Sequence, residues 1–281
     1  MSTPSPRSLI LDLLSTLRGE SMPVGALVSA GALFGIADNG MRVALTRLLS
    51  RGLVIRDERG RYRLGPKATA LNERVVSWRR LEERMRRWEG GWIGVHLGGL
   101  TRGRGLAFAS AERPLRLLGF ARMAKGLALR PDNLRGGVAA VREELIALGL
   151  DAEALVFAMG ELGAGSEERA RGLWDVAALR RGYARSRREL AASEARLARR
   201  SEGDAMIESF RLGGRVIREL VHDPLLPEAL VPADERRAVV TALRRYDRTG
   251  RRAWAAFLAR HGAPHVAVAL PIDGARAVAH A

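Results

Sequence analysis

Cysteine is absent from the 281 residues, which excludes disulfides, zinc-thiolate and iron-sulfur sites and thiolate catalysis, and makes a reducing cytoplasm the expected compartment. No stretch approaches the roughly 18 uninterrupted apolar residues of a membrane helix, so no membrane association is expected. The opening residues 1–7 lack the apolar core of a signal peptide, so export is not expected either. Lysine is nearly missing: apart from Lys67 and Lys125 every basic residue that counts toward the net charge of +16 is arginine. Acidic residues are too few to balance them, and such a surplus attracts polyanions through long-range fields and counterion release. Nucleic acid is the first partner this points to. Hydrophobic residues make up 47% of the chain, enough for two or three compact domains without covalent staples.

Leu9, Ile10, Leu13, Leu14 and Leu17 recur at helical spacing, predicting a helix over residues 7–18 closed by Gly19. A second helix is expected over 24–30 with Pro23 in its first turn, and Gly31 and Gly35 in the turn that follows. Asp38 stands where an N-cap belongs, ahead of a helix over 39–50, and Gly52 is placed for a left-handed C-cap. On a helical wheel Met41, Ala44, Leu45, Leu48 and Leu49 share one face, leaving Asn39, Val43, Thr46 and Ser50 opposite, flanked by Arg42 and Arg47. Residues 53–56 and 61–64, joined by the polar turn 57–60, read as a hairpin carrying Arg59, Arg61 and Arg63. Three helices followed by a basic hairpin is the order of a winged helix-turn-helix. In that arrangement the third helix reads base edges in the major groove, while the wing grips phosphates and sets the register. The expected DNA-binding residues are therefore Asn39, Arg42, Val43, Thr46, Arg47 and Ser50 on the helix and Arg59, Arg61 and Arg63 on the wing.

Residues 66–89 read as a charged helix with Leu71, Val75, Trp78, Leu81 and Met85 on one stripe, a rigid connector or dimer contact. The pattern then shifts to strand 92–97, a helix ending near Leu118, strands 120–123 and 127–130, a helix over 134–148 closed by Gly149, and strand 154–159. That order is ferredoxin-like. Residues 160–166 read as a small-residue linker. Helices are expected over 173–199, 204–221, 234–246 and 251–260, with Pro224, Pro227 and Pro232 interrupting them and an irregular tail after His261. The fold class is thus α+β. The domains are a winged helix-turn-helix at 1–70, a linker helix at 71–89, a ferredoxin-like middle domain at 90–165 and a mostly helical domain at 166–281.

Catalytic signals are weak. His261 and His265 lie four apart, but Gly262 and Pro264 disfavour a regular helical face and no third ligand is evident, so no metal site is expected. Gly103-Arg-Gly105 and Gly163-Ala-Gly165 do not extend into a phosphate-binding fingerprint and read as turns. No Gly-x-Ser-x-Gly nucleophile motif occurs. Neither an enzyme nor a cofactor is expected.

Several separated blocks carry a family resemblance: Phe34-Gly-Ile36, Arg42-Val-Ala-Leu-Thr-Arg-Leu48, Gly52, Tyr62-Arg-Leu64, Trp88, Trp92, Leu118-Gly-Phe120, Gly126-Leu-Ala-Leu-Arg-Pro131, Leu173-Trp174 with Tyr183, and Asp223-Pro-Leu-Leu-Pro-Glu-Ala-Leu-Val-Pro232. Through them the chain resembles the PaaX-type regulators, repressors of phenylacetic acid degradation operons. The resemblance implies that the middle domain is similar to the Cas2 fold. It also implies a homodimeric transcriptional repressor on double-stranded operator DNA, released by an acyl-CoA effector such as phenylacetyl-CoA. Arginines would hold the phosphates of such a ligand and an apolar slot its acyl group. Arg211, Arg215, Arg218 and His222, beside Trp174 and Phe210, are the expected effector residues. Two alternatives stand beside this reading: a Cas2-like metal-dependent nucleic-acid-processing enzyme, against which the carboxylate-free strand end Val95-His-Leu-Gly-Gly99 argues, and a DNA-binding scaffold without effector.

Overall fold

The computed structural model describes residues 4–15, 17, 20–57, 59–68, 77–97 and 106–263 of an α+β chain. Two compact units arise, residues 1–70 with 252–281, and residues 71–251.

In the first unit, α1 (Pro6–Ser15), α2 (Val24–Leu33) and α3 (Asp38–Ser50) precede a hairpin of β1 (Val54–Arg56) and β2 (Tyr62–Leu64). The apolar spacing explains the packing: Leu9, Ile10, Leu13 and Leu14 from α1 meet Ala26, Leu27 and Ala30 from α2 and Met41, Leu45 and Leu48 from α3 in a buried core. Gly31 allows the tight crossing of α2 and α3, since a β-carbon there would lie within 2.9 Å of Met41 Sδ. At the end of α3, Gly52 takes φ +66° and Leu53 N–H reaches back to Leu48 C=O at 3.0 Å, the C-terminal closure expected of a left-handed glycine. Met22 pairs with the hairpin in an isolated bridge, exchanging two 2.8 Å backbone bonds with Tyr62. The expected N-cap at Asp38 is not found. Ala37 has the extended backbone of the cap, and the Asp38 carboxylate, one residue inside the helix, bonds Arg42 instead. The expected closing glycine of α1, Gly19, lies outside the described residues.

The second unit holds β3 (Trp92–His96), α4 (Leu106–Leu117), β4 (Ala121–Ala124), β5 (Leu127–Pro131), α5 (Gly137–Ala147) and β6 (Leu155–Met159), in the predicted order. The sheet is antiparallel in the order β4-β5-β3-β6, with Gly94 at its centre paired to Leu129 on one side and Phe157 on the other. Next come α6 (Ala164–Arg171), α7 (Val176–Leu197), α8 (Glu202–Val221) and α9 (Ala233–Arg260), whose last residues, from Arg252, belong to the first unit. Ala170 of α6 packs on Trp92 and Leu129, and Trp92 stacks on Trp174 with centroids 6.3 Å apart.

Four expected elements differ. The connector expected as one helix over 66–89 has 3₁₀ turns at Ser77–Arg84, broken at Arg80, and non-helical backbone from 86 to 89. Its polar groups bond to other segments rather than along a helix: Arg86 N–H to Asn133 C=O and Arg135 N–H to Arg84 C=O, each 2.8 Å. The same pairing holds Leu134 in a bridge with Met85, so α5 begins at Gly137 and not at 134. Residues 164–166 start α6 and are not linker. Finally, 234–246 and 251–260 form one helix through Thr249 and Gly250. That glycine marks a close approach to Ser209, whose Cβ would lie 2.9 Å from an added β-carbon, and not a break.

A buried polar network ties these elements together. Tyr183 of α7 donates to Asp223 at 2.5 Å, and the other oxygen of Asp223 accepts the Leu225 N–H at 2.8 Å, holding Leu225 at φ +52°. The Leu225 C=O accepts from Asn133 at 2.7 Å, and Asn133 accepts from the buried Arg130 at 3.1 Å. Arg236, fully buried on α9, bonds Leu226 C=O at 3.2 Å and Glu82 at 3.3 Å. Burial raises the Asp223 carboxyl above the usual range against the opposing charge of Arg236, and burial beside that carboxyl raises the Tyr183 phenol. Replacing Asp223 by Ala strands the Tyr183 hydroxyl and removes the charge opposite Arg236. We expect Asp223→Ala to cost about 3–5 kcal/mol, and Tyr183→Phe about 1–2 kcal/mol, in urea denaturation followed by tryptophan fluorescence.

Candidate functional site

Packing of α3 through Met41, Leu45 and Leu48 turns its opposite face outward, and Asn39, Arg42, Val43, Thr46, Arg47 and Ser50 are all exposed there. All six residues predicted on this helix therefore share one surface. Arg42 Nε lies 2.6 Å from Asp38 Oδ1 in an exposed i,i+4 pair, whose small net stabilisation lets a phosphate or base edge compete for the guanidinium. The Thr46 hydroxyl donates to Arg42 C=O at 3.1 Å and that of Ser50 to Arg47 C=O at 3.0 Å. Both oxygens thus face solvent as acceptors. Arg51 and Lys67 are also exposed in this unit, though neither was singled out from sequence.

The hairpin turn is organised by Asp57, whose Oδ1 accepts the backbone N–H groups of Arg59 at 3.1 Å and Arg61 at 2.8 Å. A hydrogen bond from Ser21, followed by the Arg61 backbone bond, holds this carboxyl below the usual carboxylate range. Arg59 and Arg63 are exposed at the hairpin. Arg61 is placed differently. Its Nε bonds Ser21 Oγ at 3.1 Å, and Nη2 bonds Ser21 C=O at 2.8 Å and Gly262 C=O at 3.0 Å. Its guanidinium fastens the hairpin to the segment before α2 and to residue 262, a role that alternating exposure along a strand does not reveal.

A cavity of about 470 Å³ opens in the second unit where α7 and α8 meet the segment between α4 and β4. Phe120, Trp174, Leu179, Val216 and Val239 supply its apolar wall. Trp174 is anchored by its indole N–H on Gly119 C=O at 3.2 Å. Gly119, at φ +73°, lets Pro224 approach so closely that a β-carbon would lie 2.5 Å from the Pro224 oxygen. Of the expected effector residues, Trp174 and His222 line this cavity. Arg211, Arg215 and Arg218 are not among its lining residues. Arg215 is paired with Glu189 and, at 2.9 Å, with Glu219, while Arg218 is exposed. The cations at the cavity are Arg116 and Arg185 beside His222, whose Nδ1 is 2.8 Å from Arg218 C=O. Arg116 and Arg185 were missed because the contact of residues 116–120 with α7 is a matter of tertiary packing, without a local sequence signal. Phe210 does not line the cavity either.

Among the described residues no group of three His, Cys, Asp or Glu side chains is arranged to hold a metal ion. Gly103-Arg-Gly105, His265 and the strand-end residues Gly98 and Gly99 lie outside the described residues. No described helix is long and apolar enough to cross a membrane.

The bonds of Arg61 separate it from its neighbours. Arg61→Ala is expected to lower stability by about 1–3 kcal/mol in thermal denaturation, whereas Arg63→Ala leaves it within about 0.5 kcal/mol of the parent.

No curated protein matches the chain. Among solved structures it is similar in fold to Uncharacterized protein Rv0674 from Mycobacterium tuberculosis, with a TM-score of 0.64 and 23% identity over 91% of this chain and 99% of that one. Residues 5–68, from α1 through β2, match the family described as PaaX-like protein, in keeping with a PaaX-type regulator family.

Proposed function

We propose that the chain is a DNA-binding transcriptional regulator, a dimeric repressor that reads its operator with a winged helix-turn-helix and is released by an acyl-CoA effector of the phenylacetyl-CoA kind. The observation that carries the reading is the outward face of α3: a row of Asn39, Arg42, Thr46 and Arg47 on a helix fixed by a well-packed core and followed by a hairpin with exposed Arg59 and Arg63. Arginine suits guanine O6 and N7, asparagine suits adenine, and the two wing arginines suit phosphates. The match of residues 5–68 to the PaaX-like family supports the regulator. The order βαββαβ with strands β4-β5-β3-β6 supports a ferredoxin-like, Cas2-like middle domain.

For the effector, the 470 Å³ cavity is the natural seat. It is large enough for an acyl group and part of its carrier, with Trp174 and Phe120 as apolar walls and Arg116 and His222 for anionic groups, Arg185 being paired with Glu219 of the same lining. Two-fold pairing of recognition helices calls for an inverted-repeat operator.

Footprinting on the DNA upstream of the gene, with and without phenylacetyl-CoA, tests the reading. Protection that the thioester relieves is the expected result; no protection removes the regulator, and protection that no thioester relieves removes the effector. Arg42→Ala and Arg47→Ala are each expected to cost about 1–3 kcal/mol of operator affinity in an anisotropy titration. Asp38→Asn frees Arg42 and takes a negative charge off the reading face, so it should tighten binding to random-sequence duplex.

A further inference from the structure

Most of the positive surplus lies outside the residues proposed to read DNA. The first seventy residues hold ten basic and five acidic side chains, a surplus of five within the total of sixteen. Residues 176–200 alone hold eight arginines against Glu189 and Glu194. The arrangement of those arginines on α7 is ordered. One side of the helix buries Tyr183, Ser186, Leu190, Ser193 and Leu197. On the opposite side, within about 60° of a line through Arg181, stand only Arg and Ala: Ala177, Ala178, Arg181, Ala184, Arg185, Arg188, Ala192, Ala195 and Arg196, all exposed. Arg199 continues the line in the turn beyond the helix end.

Pairing divides these cations into two sets. Arg185 and Arg196, at the flanks, reach Glu219 at 3.4 Å and Glu208 at 3.2 Å on α8. Arg181, Arg188 and Arg199, along the centre, have no ion pair among the described residues, and no carboxylate shares their face. Alanines between them leave no bulky side chain to hold a flat polyanion away from the helix. From Arg181 to Arg199 the row advances 18 residue steps, about 27 Å at helical rise, long enough to follow several successive phosphates. An unpaired row of like charge costs self-repulsion that a bound polyanion removes.

We infer that the Arg181, Arg188, Arg199 face of α7 is a second phosphate-binding surface, taking the backbone of duplex DNA without reading its sequence. The inference rests on the proposal that the chain's partner is duplex DNA. It adds a contact made by a part of the chain other than the winged helix. Each phosphate neutralised steepens the fall of log K with log salt by about 0.9, so three such contacts contribute a slope of about 2.7.

The test uses the full chain and a fluorescein-labelled random-sequence duplex of about 40 base pairs, with anisotropy titrations between about 50 and 200 mM NaCl. The triple variant Arg181→Gln, Arg188→Gln, Arg199→Gln is expected to lower the salt slope by about 2 to 3, and the corresponding triple Lys variant to keep it. Far-ultraviolet circular dichroism and the melting temperature should stay unchanged, since all three side chains are exposed. A Gln variant whose slope and affinity equal those of the parent overturns the inference. A double variant, Arg42→Ala with Arg47→Ala, separates the two readings. If it binds like the parent while the α7 variant is weakened, the reading of α3 fails and that of α7 stands. If the parent does not bind the duplex at low salt, both fail.

Discussion

The second unit depends on one buried carboxylate. Asp223 sits at the end of α8 where the chain must reverse, in a segment that prolines keep from being helical. Its two oxygens are spoken for by the Tyr183 hydroxyl and the Leu225 N–H, and the turn it stabilises presents two carbonyls, at 225 and 226, to Asn133 and Arg236. Through those four bonds, and those of Arg130 to Asn133 and Arg236 to Glu82, the strand end near Arg130, the kinked segment around Glu82 and the helices α7 and α9 share one set of hydrogen-bond partners. An unpaired member of such a network would carry the desolvation cost of a buried polar group, so the elements are coupled by the requirement that all be satisfied together.

The candidate cavity is a by-product of the same arrangement. Asp223 and Pro224 form part of its wall, Tyr183 another part, and Gly119 brings the segment before β4 close enough for Phe120 and Trp174 to face the opening. Polar closure on one side of the turn thus leaves an aromatic-lined space on the other. At the edge of that space stand Arg116 and His222, both exposed to solvent.

Much of the first unit was legible in the sequence. Helical spacing located α1 and α3, a glycine closed α3, and the polar face of α3 emerged from the wheel because a short amphipathic helix has only one way to bury Met41, Leu45 and Leu48. The succession of strands and helices along the middle segment was legible too, because apolar runs and glycines alternate there. What escaped were features settled by contacts between distant residues. Residues 77–89 have helical periodicity, but backbone groups of Arg84 and Arg86 bond to 135 and 133, and the chain leaves the helix there. Gly250 reads as a breaker until its proximity to Ser209 is seen. Arg61 looks like a wing cation, yet its guanidinium is turned to Ser21 and Gly262. Arg211, Arg215 and Arg218 lie on the helix that His222 caps, but helix rotation puts Val216, Glu219 and Leu220 toward the cavity in their stead.

The contact of Gly119 with Pro224 has a bearing on how such chains can diverge. No side chain fits at 119 without displacing the backbone at 224, and displacing 224 alters the left-handed turn at Leu225 on which Asn133 depends. Positions far apart in sequence are therefore locked into a single steric unit, and in an alignment of relatives they should change together or not at all. The covarying pair would be found between a glycine and a proline, two residues usually read as local punctuation.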